Sequence, residues 1–144
     1  MANFVKISTI GAHLFPVRAD LSPQQSVDTM LAHWEKKIAQ VLPDRPDLIV
    51  LPETCDTPTD GDAPLDYPKR DLFAYFDTRG DQILDYLAGI AREHRCYITY
   101  PAMRRNDNGA WVNRTMMLDR QGDIAGHYDK NYLFIGENTE NGVL

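Results

Sequence analysis

Cysteine is scarce, with Cys55 and Cys96 the only two in 144 residues. So low a count excludes a disulfide scaffold and is typical of reduced intracellular chains, which leaves two free thiols as the expectation. Long apolar runs are missing too. No stretch approaches the ~18 residues of a membrane span. The opening "MANFVKISTIGAHLFPV" has no basic leader followed by a sustained apolar core, so no membrane partner and a cytoplasmic location are expected. Segregated positive charge is equally absent. Fifteen Lys and Arg stand against 21 Asp and Glu, a net charge of −6 that would repel a phosphate backbone. The short pairs Lys36-Lys37 and Arg104-Arg105 read as solvated surface, which argues against a nucleic-acid partner.

Other signatures fail to appear. No Gly-x-Gly-x-x-Gly follows the first strand, so no nucleotide or other cofactor is expected. His13, His33, His94 and His127 show no metal-ligand spacing, and His94 with Cys96 is a pair without partners, so no metal site is expected. There is no internal repeat and no low-complexity tract.

What remains is an ordinary folding sequence of one domain's length, 43% hydrophobic and 25% charged. "FVKISTIG", residues 4–11, alternates and carries β-branched residues, which predicts an opening strand running inward and ended by Gly11. "SPQQ" then supplies Ser22 as N-cap, Pro23 at the first helical position and Gln25 three after the cap, a capping-box start. Val27, Met30, Leu31, Trp34, Ile38, Val41 and Leu42 recur on one face, so a helix is predicted over 23–42. Pro43 and Pro46 stop it. "DLIVLP" is a continuous apolar run of the kind found in strands buried on both faces, which completes a βαβ unit.

From Thr54 to Pro68 the chain carries Pro58, Pro64, Pro68, Gly61 and several aspartates, a long segment of the kind that lines a site. Helical spacing returns from about Arg70 to His94, with an interruption near Gly80. "CYITYPAMR" (96–104) and "AWVNRTMMLD" (110–119) read as strands joined by a polar "RNDNG" turn, and "RQGDI" turns into "AGHYDK". Crossover helices thus give way to a strand meander, an α/β pattern. Tyr97, Tyr100, Trp111 and Tyr128 read as core and sheet-face aromatics, since no basic groove accompanies them.

The chemistry centres on "DLIVLPETCD". A glutamate at a strand end is, taken alone, a solvated or capping residue. Lys130 in "HYDKNYLF" would, taken alone, bury its stem among tyrosines and keep its ammonium in water. Glu53 and Cys55 suggest a base and a nucleophile, yet along a continuing strand two residues at ~3.3 Å each hold their Cα atoms about 7 Å apart. A thiol needs its base at about 2.6–3.2 Å, so direct pairing would require the chain to turn at Thr54. Cys55 reads as a bystander and Cys96 as a packing residue.

In combination these segments resemble the nitrilase superfamily, the carbon-nitrogen hydrolases. The resemblance runs through "VKISTIGAHL", "LIVLPE", the Asn-bearing "VNRTMMLDRQG" and "YDKNYLF", in order. It implies the N-terminal part of a four-layer α-β-β-α sandwich, with residues 1–144 a carbon-nitrogen hydrolase domain incomplete at its C-terminus. It implies a Glu-Lys-Cys apparatus acting on small amide, nitrile or carbamoyl substrates. Glu53 would be the general base, buried beside an ammonium that keeps it charged; Lys130 would be the cation that stabilises the tetrahedral intermediate; and Glu140, or Glu137 behind it, would be a second glutamate. The family's nucleophilic cysteine belongs to a later strand, and neither Cys55 nor Cys96 occupies that place. The chain is therefore expected to be catalytically incomplete by itself. Members of the family often form dimers or larger assemblies, so a homo-oligomer is expected. Two rivals remain: a noncatalytic half-domain pairing through an open sheet edge, and an independent thiol enzyme using Cys55.

Overall fold

Ser22 opens the first helix in the manner its sequence predicts. Its hydroxyl accepts from the Gln25 backbone N–H at 3.3 Å, and the Gln25 side chain accepts from the Ser22 N–H at 2.9 Å. This capping box starts α1, Pro23–Val41, in a computed structural model that describes residues 4–11, 20–58 and 69–133. Val27, Met30, Trp34 and Ile38 form its buried face. The α-helix stops one residue earlier than the apolar spacing suggests. Pro43 lacks the N–H to continue the ladder, so Leu42–Asp44 tighten into a 3₁₀ turn, and Arg45 reverses the chain at φ 51°.

β1, Ile7–Thr9, and β2, Leu48–Val50, run parallel with α1 crossing between them. After α2, Lys69–Arg79, and α3, Gln82–His94, the chain enters β3, Tyr97–Arg105, parallel to β2. The helices are separated at Gly80, whose φ of +46° is the predicted interruption. β4, Trp111–Leu118, and β5, Ile124–Asp129, complete the meander antiparallel, giving the order β1-β2-β3-β4-β5. Both hairpin turns are built on a side chain. Asn106 Oδ1 accepts from Asn108 and Ala110 N–H, each at 3.0 Å, and Asp119 Oδ1 accepts from Gln121 and Asp123 N–H at 2.8 and 3.0 Å.

The core lies on one face of this sheet. Ile49, Ile98, Tyr100, Ala102, Met116 and Leu118 pack against Met30, Trp34 and Ile38 of α1 and Ile83, Leu84, Leu87 and Ala91 of α3. A second cluster joins Val27, Tyr75, Phe76, Met103 and Trp111. This is the α/β architecture predicted. The described residues supply one sheet with its helices, two of the four layers named above.

Two expectations are corrected. β1 does not run inward: it pairs only with β2 among the described strands, and Phe4 and Ile7 are 91% and 56% exposed. "DLIVLP" is buried on one face, with Ile49 and Leu51 inside and Leu48 and Val50 half-buried, because among the described residues helices cover only that side. Side chains alternate along a strand, so the register partners Pro101 and Thr115 lie on the face opposite Tyr100 and Met116, which pack against the helices.

Candidate active site

The site forms where β2 ends. Leu51 N–H still reaches Thr99 Oγ1 at 3.3 Å, and then the chain turns over residues 53–56. Thr54 takes φ 47°, a left-handed conformation rare for a β-branched residue, and the turn closes with Thr57 N–H donating to Thr54 O at 2.9 Å. Glu53 consequently emerges on the sheet face opposite the helices. It lines a cleft of about 290 Å³ with Pro101, Asn113, Thr115, Tyr128 and Lys130.

Register brings the walls together. Pro101 pairs with Thr115 across β3–β4, and Thr115 with Tyr128 across β4–β5, so the three share one face. Lys130 follows the last residue of β5, and its backbone N–H donates to Asn113 O at 2.9 Å. Its ammonium donates to Glu53 Oε1 at 2.8 Å, joining residues 77 apart in sequence. Asn113 Nδ2 donates to the same Oε1 at 2.8 Å. Both of these bonds end on Oε1, and neither uses Oε2.

The expected burial of Glu53 is corrected. Its side chain is 61% exposed and that of Lys130 29%, because the cleft opens on the face that the described helices do not cover. The chain does turn at Thr54, the condition for Cys55 to approach Glu53, but the turn directs the thiol elsewhere. Cys55 Sγ donates to Pro101 O at 3.3 Å and is buried. Burial pushes this thiol well above its ordinary pKa, and the adjacent Asp56 carboxylate pushes it further. Such a thiol is a poor nucleophile. Cys96 is wholly buried in the core, its thiol also raised by burial. Glu137, Glu140 and His13 lie outside the described residues. Among the described residues, no group of His, Cys, Asp and Glu could hold a metal ion, and no helix is long and apolar enough to cross a membrane.

Sequence reasoning missed two features. Asn113 carried no assigned role, although its hydrogen bond to Glu53 and its carbonyl's hold on Lys130 tie the pair together; the strand register was the signal that could have found it. Asp56, one of several aspartates in a loop-like segment, is fully buried. Its Oδ2 accepts from Arg79 Nη1 at 2.6 Å and from the Tyr100 hydroxyl, and its backbone carbonyl accepts from the Tyr75 hydroxyl at 2.8 Å. Arg79 Nη2 also reaches Met103 O at 2.5 Å. Burial and then the Asp56 charge push the Tyr75 and Tyr100 hydroxyls up. Burial disfavours the Arg79 cation, but Asp56, with Tyr100 and Tyr75 beside it, offsets the penalty, so Arg79 is held above its ordinary value.

The family model for carbon-nitrogen hydrolases matches residues 18–144. No curated protein matches the chain. Among solved structures, an N-terminal amidase is similar at a TM-score of 0.65 and 22% identity, over 95% of this chain and 30% of that one. The NitN amidase from Neterenkonia sp. AN1 is similar at 0.65 and 17%, over 98% and 49%. A carbon-nitrogen hydrolase from Helicobacter pylori G27 is similar at 0.60 and 14%, over 97% and 44%. At these identities the likeness is one of fold, and the chain spans less than half the length of each of these structures.

Proposed function

The chain belongs to the carbon-nitrogen hydrolase family, and on that premise we propose that it supplies the base and the cation of a thiol hydrolase cleaving nonpeptide C–N bonds in small amides, nitriles or carbamoyl compounds. The observation that carries this reading is the Lys130–Glu53 contact of 2.8 Å, shared with Asn113, at the wall of a cleft. For an amide or carbamoyl substrate, Glu53 Oε2 takes the proton of a cysteine thiol, whose sulfur attacks the carbonyl carbon. Lys130 stabilises the oxyanion, and its charge also favours the thiolate. Collapse breaks the C–N bond, and Glu53 returns the proton to the leaving amine. Water, with Glu53 as base, then cleaves the thioester to release the acid and regenerate the thiol. Glu140 is assigned as the second glutamate, with Glu137 the adjacent candidate.

The attacking cysteine is neither Cys55, whose thiol is fastened to Pro101 O, nor Cys96 in the core. Residues 1–144 alone therefore hold the Glu and Lys without the nucleophile. Ammonia release from a panel of small amides and nitriles tests this. The 144-residue chain should give none. In a polypeptide that also carries the nucleophile, Glu53→Gln and Lys130→Met should each lower release by about 10²-fold or more. Turnover by the 144-residue chain that disappears in Cys55→Ser would overturn the assignment.

A second reading, a noncatalytic module that pairs with another copy of itself, is favoured by β1. Ile7 is exposed on a strand paired on one side only among the described strands, and Phe4 and Val5 are exposed just before it, which offers a template for a further strand. Concentration-dependent association that is lost in Ile7→Lys, with no turnover in any form of the protein, would favour it. A homo-oligomer is compatible with either reading.

A further inference from the structure

Resting on that reading, we propose that Asp56 is the positioning residue of Glu53, a buried foot that fixes where the exposed catalytic arm of the same turn emerges. The turn of residues 53–56 has two ends of opposite character. Glu53 is exposed in the cleft, whereas Cys55 and Asp56 are buried against the helix-covered core. Contacts to the buried end come from separate elements. α1 contributes Trp34 Nε1, which donates to Cys55 O at 3.0 Å. β3 contributes Pro101 O, which accepts from Cys55 N–H at 3.1 Å, and the Tyr100 hydroxyl on Asp56 Oδ2. α2 contributes Tyr75 on the Asp56 carbonyl and Arg79 on its carboxylate.

Asp56 is the point on which most of these converge, and it stands three residues from Glu53. Between them Thr54 holds its left-handed conformation, which is unfavourable for threonine and persists only where the surroundings over-determine it. A buried ion pair is a poor way to gain stability, since an apolar replacement of both partners is often as good or better. Its particular capacity is to impose one geometry. Here that geometry sets Glu53 within hydrogen-bonding distance of Asn113 and Lys130, which stand on β4 and just beyond β5.

The Asn113 side-chain amide reports this placement directly, because its Nδ2 donates to Glu53. Its 15N–1H resonances are recorded in the 144-residue chain, with Glu53→Ala defining the position when the contact is lost. Removing both buried charges together, Asp56→Leu with Arg79→Met, leaves no uncompensated ion. This variant should retain a cooperative unfolding transition while the Asn113 amide moves at least half of the way to its Glu53→Ala position. Should the double variant not fold, Tyr75→Phe, which removes one hydrogen bond to Asp56 and no charge, decides the matter by a smaller shift in the same direction. An Asn113 amide unmoved in whichever folded variant is read overturns the proposal and leaves Asp56 a purely structural residue. Because the readout is a contact and not turnover, failure of the hydrolase reading would show separately, as a shifted amide in a protein that cleaves nothing.

Discussion

The thiol of Cys55 gives the sharpest test of the site. For a reagent to reach it, Cys55 must lift from β3 and α1 while Asp56 stays bound to Arg79 and Tyr100. That motion breaks the Cys55 N–H bond to Pro101 O at 3.1 Å, the Sγ bond to Pro101 O at 3.3 Å and the Trp34 Nε1 bond to Cys55 O at 3.0 Å. At about 1 kcal/mol net for each hydrogen bond, opening costs about 3 kcal/mol, and a factor of ten corresponds to about 1.4 kcal/mol. Alkylation of Cys55 should therefore be about 10²-fold slower in the native protein than in the unfolded chain. Burial raises the thiol's pKa, so reaction without opening is suppressed as well. The assay is iodoacetamide labelling at pH 8 with and without urea, read by peptide mass spectrometry, with the fully buried Cys96 as internal reference. Labelling of Cys55 within tenfold of its unfolded rate, while Cys96 stays protected, would refute the reasoning and restore Cys55 as a candidate nucleophile.

Gly122 sits at φ +80°, and a Cβ there would lie 2.6 Å from Ala88 O and 3.0 Å from Arg92 Nη2, so Gly122→Ala should lower stability by about 1–3 kcal/mol in urea unfolding. Gly109→Ala, at φ +79° with open space around it, should cost less, and equal losses would show that the close approach is irrelevant. Alkaline stability follows from Cys55, Cys96, Tyr75 and Tyr100, whose folded-state pKa values are all raised. The unfolded chain loses these protons first, so their contribution is fully present below the ordinary thiol and phenol values of 9.0 and 10.0. It declines above them by up to about 1.4 kcal/mol per pH unit for each group. Urea midpoints that stay level from pH 8 to 11 would contradict this. Glu53→Gln should change stability by less than about 1 kcal/mol, since the Glu53 side chain is mostly exposed.

Local chemistry was legible in the sequence wherever the determinant was local. Ser22, Pro23 and Gln25 announce α1 because a capping box is satisfied within its own turn. Gly80 marks the break between α2 and α3 because it takes a positive φ there. The Glu53–Lys130 pairing was legible only through the family resemblance that the segments carry in order, since nothing in either neighbourhood specifies a partner 77 positions away. The exposure of β1 was not legible. An alternating β-branched run reads alike in a central and an edge strand, and only the sheet order separates them. Asp56 was hidden for a related reason. Its partners come from α2 and β3, up to 44 residues away, and an aspartate among prolines and other aspartates has the composition of a solvated loop.

The placement of Lys130 shows how little the charge pair itself contributes to building the site. A contact between groups 61% and 29% exposed carries too little energy to fold a chain around it. What aims the ammonium is the register of β4 with β5. Arg114 stands opposite Asp129, and the two are joined by bonds of 2.6 and 2.8 Å that hold the Asp129 carboxyl below its ordinary pKa. The next step of the same ladder sets Lys130 against Asn113. Because side chains alternate, Tyr128 and Lys130 face the cleft while Asp129 faces away. A slip of one residue would reverse that set and bring Asp129 toward Glu53, replacing an attraction by a repulsion. The Arg114–Asp129 pair, on the opposite face of β4 and β5 from the cleft, thus favours the register that presents a positive charge to Glu53.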